Sequence, residues 1–166
     1  LKAKRRPHFT REEVEQLLGH CAPNLAEAVL TAAYTGLRQD ELLSLRAEHV
    51  QDNGLHVVDS KGDDRFVPLH PKLITIINRR FTNDRLFGDD WLNKDQLYGA
   101  FKKARAAAGL SDKKVWHSLR HSFGTFMGEQ APNTQIAAVM GHSSTQMTER
   151  YVKPNDEVIR AAVLAI

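Results

Sequence analysis

Only between Val50 and Leu69 does the apolar pattern of this 166-residue chain leave the helical period. Leu55-His56-Val57-Val58 and Arg65-Phe66-Val67-Pro68-Leu69 read as two short strands, parted by the polar link Asp59-Ser60-Lys61-Gly62-Asp63-Asp64. The link is hairpin chemistry: Gly62 supplies the turn, and Pro68, which has no N–H to donate, marks a sheet edge or a strand end. Everything around it is helical in spacing. The expected fold is therefore mainly α with one small antiparallel β-hairpin sheet (α+β).

The helices carry their own punctuation. Thr10-Arg11-Glu12-Glu13 has the form of a capping box, with Val14, Leu17 and Leu18 following at helical spacing. Pro23 opens a second helix whose Leu25, Val29, Ala32 and Ala33 share a face, and Thr35-Gly36 ends it. A third helix is expected from Asp40 to Leu45, and others from Pro71 to Arg80, Asn93 to Ala108, Ser118 to Glu129 and Thr134 to Met140. A terminal helix begins near Asp156. Gly141 breaks the chain again, Ser143 or Ser144 can cap the next helix, and Lys153-Pro154 stops it just after Tyr151. That break matters: one straight helix would put His142 and Tyr151 about 13.5 Å apart on opposite faces. With a turn between them, both side chains can face one site.

At this length the chain is one domain with room for an ordinary core. The lone Cys21 excludes an internal disulfide and a cysteine-based metal cluster, which suits a reducing, cytoplasmic setting. No apolar run is long enough to cross a bilayer, and no signal-peptide pattern opens the chain. Net charge is +3, but the pI of 9.1 and the clustering of basic residues favour an anionic partner. The opening Leu1-Lys2-Ala3-Lys4-Arg5-Arg6-Pro7 is basic and unperiodic, a solvated tail or a linker that touches DNA. Because it starts without Met, a fragment of a longer protein is expected.

Arg38, Lys61, His117, Arg120, His142 and Tyr151 form a chemical inventory, with Glu41 and His121 beside them. Arg38 follows Gly36-Leu37 near a helix start, where unpaired amides and a guanidinium fork both favour phosphate; Glu41 shares its face three residues on. Lys61 stands at the hairpin tip. His117, Arg120 and His121 recur at i, i+3 and i+4 on one helical face. A zinc site from the two histidines lacks the glutamate that should follow the first, and an intervening arginine suits an anion better. His142 and Tyr151 complete the set. A tyrosine of ordinary pKa about 10 needs cations and a base nearby to attack phosphorus. Two arginines and a histidine can hold the phosphate oxygens, and a lysine can protonate the departing sugar oxygen. The acidic residues are not spaced as a two-metal nuclease triad. A rival reading of Thr134 to Val152 is a helix-turn-helix DNA reader, although His142 stands where that motif wants an apolar residue.

Taken together, these boxes resemble the catalytic domain of the tyrosine recombinases of the phage integrase family. Thr35-Gly36-Leu37-Arg38-x-x-Glu41-Leu42-x-x-Leu45 resembles the first-arginine box, and His117-x-Leu119-Arg120-His121 the second. Gly141-His142-Ser143-Ser144 through Thr148-x-Arg150-Tyr151 resembles the nucleophile box, and Ser60-Lys61-Gly62 with Arg65-Phe66-Val67-Pro68-Leu69 the lysine hairpin. The match runs from Thr10 to about Val158.

The resemblance implies site-specific cleavage and rejoining of double-stranded DNA without metal, ATP or other cofactor. Tyr151 would attack the scissile phosphate, leaving a 3′-phosphotyrosyl link and a free 5′-hydroxyl. Arg38, Arg120 and His142 would bind the phosphate, His117 would act as acid/base and Lys61 as general acid, with Glu41 and His121 supporting. It further implies a homotetramer of the full-length protein on DNA, accessory DNA-bending proteins as possible partners, and action in the bacterial nucleoid or, for a phage-encoded protein, the host cytoplasm. Residues 1–9 would be the linker from a missing amino-terminal DNA-binding domain and residues 10–166 the catalytic domain, which alone should bind DNA weakly. Relaxation of DNA by the same chemistry, as in a topoisomerase, is the alternative closest to this one.

Overall fold

The computed structural model describes residues 6–58, 64–141 and 156–166. Helix α1 (Arg11–Leu18) is started by the expected capping box: the Thr10 hydroxyl accepts from the Glu13 N–H at 3.2 Å, and the Glu13 carboxylate accepts from the Thr10 N–H at 2.8 Å. Phe9, within the stretch read as linker, is fully buried, and its N–H donates to Ser122 Oγ at 2.8 Å. The core therefore begins one residue before the helix cap.

Helix α2 (Pro23–Thr35) is the central post. Leu25, Ala28, Val29, Ala32 and Ala33 are buried along it, and four of these were legible from spacing. Its small alanines let the backbone of α6 (His117–Gly128) approach, and this is the most extensive helix–helix contact among the described residues. Leu119, Phe123, Phe126 and Met127 fill the space from the α6 side. At about 25 cal/mol per Å² of apolar surface, side chains of this size contribute about 1.5–3 kcal/mol each when fully buried. Helix α3 (Gln39–Ser44) follows α2 after the break at Gly36–Leu37 and buries Leu42.

The sheet has three strands, not the two expected: β1 (Val50–Gln51), β2 (Gly54–Val57) and β3 (Arg65–Pro68), in the order β1-β2-β3 and all antiparallel. The extra strand is joined by a two-residue turn in which Asp52 and Asn53 both take positive φ, 51° and 57°. Asp-Asn before a glycine is the composition such a primed turn prefers, so the signal was present but unread. Pro68 ends β3 on the sheet's edge, as its chemistry requires.

Helix α4 (Pro71–Arg79) buries Leu73, Ile76 and Ile77. Helix α5 (Lys94–Ala107) is capped by Asn93, whose side chain accepts from the Gln96 N–H at 3.0 Å. It stops at Gly109 (φ 69°), where N–H groups of Gly109 and Leu110 turn back to the carbonyls of Ala106 and Arg105. Helices α7 (Asn133–Met140) and α8 (Asp156–Ala165) both pack on β3 and on each other, α8 burying Ile159, Ala162 and Val163. No helix among the described residues is long and apolar enough to cross a membrane.

Candidate active site

The two arginine boxes meet through Arg120. It lies in the first turns of α6 and is only 2 % exposed. Its Nη1 donates to the Gly36 carbonyl at 2.5 Å, and its Nη2 donates to the Met140 carbonyl. Both carbonyls sit at helix C-termini, α2 and α7, where backbone acceptors lack intrahelical partners and the dipole is negative. A buried guanidinium is tolerable there because it meets two partial negative charges and two orphan acceptors at once. Gly36 permits the approach. Its φ is 68°, and a Cβ at that position would stand 2.5 Å from Phe123 Cδ1.

Two residues past Gly36, Arg38 forms the N-cap of α3, with its side chain 39 % exposed. Glu41 accepts from the Arg38 N–H at 2.7 Å and from its Nη1 at 3.0 Å. The sequence paired these two residues, but it missed the larger partner. Arg65, on β3, grips the same carboxylate with both Nη atoms, each at 2.8 Å. Its Nε donates to the Val139 carbonyl at 2.7 Å. Burial alone would raise the Glu41 pKa. The Arg65 hydrogen bonds, the Arg38 N–H and the two positive charges outweigh that and hold it at about 2. Alternation along β3 contained the clue: Val67 points inward, so Arg65 does too, and a buried arginine needs an acid.

His117 starts α6 and is exposed by surface area, while His121 one turn on is half-buried. Their rings meet edge to face with centroids 4.8 Å apart. Partial desolvation lowers the His117 pKa below the ordinary histidine value, and the charges of Arg120, Arg38 and Arg6 lower it further. Arg6, from the basic tail, thus shares a field with both boxes. Around a mostly neutral imidazole the site gathers arginines, an environment that attracts a polyanion. Among the described residues, no three His, Cys, Asp or Glu side chains are grouped so as to hold a metal ion.

Lys61, His142 and Tyr151 lie outside the described residues, as does the helix expected from Ser143 to Tyr151. The other two tyrosines of the chain are committed elsewhere. Tyr34 is buried, with its hydroxyl accepting from Lys72 Nζ at 3.1 Å. Tyr98 stacks on Phe101 in α5, beneath Lys102.

Comparison with known proteins identifies the family. The model of the phage integrase family matches residues 7–158. The tyrosine recombinase XerA of Thermococcus kodakarensis is 32 % identical over 177 residues, a match that covers 93 % of this chain and 60 % of that protein. Among solved structures, the integrase of mycobacterium phage Brujita superimposes with a TM-score of 0.81 at 24 % identity, over 99 % of this chain and 59 % of that one. The lambda integrase tetramer bound to a Holliday junction gives a TM-score of 0.72 at 21 % identity, covering 91 % of this chain and 51 % of that one. The chain spans about half to three-fifths of the curated relatives it matches first. Fold, ordered boxes and family model coincide over the same residues: this chain belongs to the phage integrase family.

Proposed function

We propose that this chain is the catalytic domain of a site-specific DNA recombinase that breaks and rejoins strands through a 3′-phosphotyrosyl intermediate. The observation that carries the reading is the junction made by Arg120, which brings the start of the first-arginine box and the end of α7 to one guanidinium. In the reaction, the Tyr151 phenolic oxygen bonds to the scissile phosphorus while the bond from phosphorus to the 5′-oxygen breaks. His117, whose lowered pKa keeps the imidazole neutral and available as a base, takes the phenolic proton. Lys61 gives a proton to the departing 5′-oxygen. Arg38, Arg120 and His142 bear the charge that grows on the non-bridging oxygens. Glu41 holds Arg38, and His121 backs His117. The phosphodiester energy stays in the tyrosyl ester, so a 5′-hydroxyl from a second strand reverses the step without ATP.

The reading extends to duplex DNA as substrate and to a tetramer of the full-length protein, by similarity to the lambda integrase assembly. Residues 10–166, together with the buried Phe9, act as the catalytic domain, and the basic stretch before Phe9 acts as a linker to a DNA-clamping domain. The test is to incubate full-length protein with nicked duplexes of randomised sequence, which trap the tyrosyl ester by losing the short 5′-hydroxyl strand. Adducts that survive denaturation are recovered and sequenced, and the selected site is then offered as two duplexes and as one supercoiled circle. A denaturation-resistant adduct and joining of two duplexes are expected, with chelator having no effect. Relaxation without joining replaces the recombinase reading by the topoisomerase one, and no adduct at all rejects both.

A further inference from the structure

Arg65 has no assigned part in the chemistry, yet it binds both the carboxylate that holds Arg38 and the backbone at the end of α7. Its side chain is 4 % exposed, and its guanidinium donates from Nη1 and Nη2 to Glu41 and from Nε to the Val139 carbonyl. Glu41 in turn holds the backbone and side chain of Arg38. Val139 is two residues before Gly141, the left-handed stop of α7, and the next residue is His142. Gly141 packs on the arginine itself: a Cβ there would lie 3.1 Å from Arg65 Cδ and 3.2 Å from Nη1, at a φ of 63°. The same strand leads back into the hairpin that bears Lys61.

We propose that Arg65 is a positioning residue that sets the spacing between Arg38 and the C-terminus of α7, the helix end that His142 follows in the sequence. The inference rests on the proposed function. A planar fork with donors on both edges can span a carboxylate and a carbonyl in fixed geometry; a lysine ammonium keeps the charge but cannot hold that frame. Spacing between two groups is worth something only while both are present. Loss of Arg65 must therefore matter less once either partner is gone.

The experiment is a single-turnover cleavage assay of the full-length protein at saturating DNA, on the nicked duplex selected above, with DNA affinity measured in parallel. Arg65→Lys is expected to slow adduct formation about a hundredfold, the scale of an ångström-level misplacement, while affinity changes less than about twofold. In the Arg38→Ala or His142→Ala background the same substitution is expected to cost almost nothing further. Equal penalties in all three backgrounds make Arg65 a structural residue and overturn the proposal, as does wild-type cleavage by Arg65→Lys. If Arg65→Lys does not fold, the pair Glu41→Gln with Arg65→Gln removes both buried charges together, which is far less costly than stranding one. That pair is expected to fold and cleave slowly; folding with wild-type cleavage also overturns the proposal. A wild-type protein that forms no adduct brings down the proposed function and this inference with it, whereas cleavage insensitive to Arg65 brings down the inference alone.

Discussion

Arg120 and Gly36 are 84 residues apart in the chain and share a 2.5 Å hydrogen bond. The bond joins α6 to the C-terminus of α2, and the second contact of Arg120, to the Met140 carbonyl, joins both to α7. A residue proposed to bind phosphate is thus also the tie between three helices.

Arg120→Ala leaves two buried helix-end carbonyls without this donor, at about 1–3 kcal/mol each. Arg120→Lys restores at most one of the bonds, because a single ammonium cannot reach as a fork does. Chemical denaturation is expected to rank wild type above Arg120→Lys and Arg120→Lys above Arg120→Ala. Equal stability of all three contradicts the tie.

Glu41 should write its pKa into the acid stability of the domain. Its folded value is about 2 against an ordinary 4.5, so the folded state favours the ionised form. The contribution, about 3 kcal/mol, is fully present above 4.5 and is lost as pH falls toward 2. Denaturation curves of wild type and Glu41→Gln are expected to differ most at neutral pH and to converge on the way down through that window. A difference that does not change with pH rejects the assigned environment.

His117 is shifted in the same direction, with the neutral imidazole favoured by partial desolvation and by Arg120, Arg38 and Arg6. As the base in cleavage, it should keep working below the pH at which an ordinary histidine takes up its proton. Arg38→Gln removes one of the charges that depress it. The acid limb of the single-turnover rate is expected to move to higher pH in Arg38→Gln, alongside the lower overall rate. A limb that stays put means that His117 is not the group titrating.

These consequences also show which parts of the molecule its sequence could reveal. Helices with strong punctuation were legible to within a residue or so: Thr10 and Glu13 at α1, Pro23 at α2, and Gly109 after α5 act locally, through hydrogen bonds and backbone angles that neighbours barely alter. Strand β1 was missed because two residues show no period, although the Asp52–Asn53 turn announced it. The Arg38–Glu41 pair follows from helical spacing, whereas the Arg65 grip on the same carboxylate spans 24 residues and depends on how β3 packs against α3 and α7. The motif around Arg120 led to the expectation of a phosphate ligand, but its two carbonyl partners were not legible, since contacts over 84 and 20 residues are set by tertiary packing alone.

The central claim is that Tyr151 is the nucleophile. Of the three tyrosines in the chain, Tyr34 is buried with its hydroxyl bonded by Lys72, and Tyr98 is stacked on Phe101. Proteolysis of the trapped adduct followed by mass spectrometry is the direct measurement. The account predicts a 3′-phosphate ester on the peptide that contains Tyr151, and no adduct from Tyr151→Phe although that variant still binds the duplex. A nucleotide on the Tyr34 or Tyr98 peptide, a 5′-phosphate linkage, or an adduct that persists in Tyr151→Phe would contradict it.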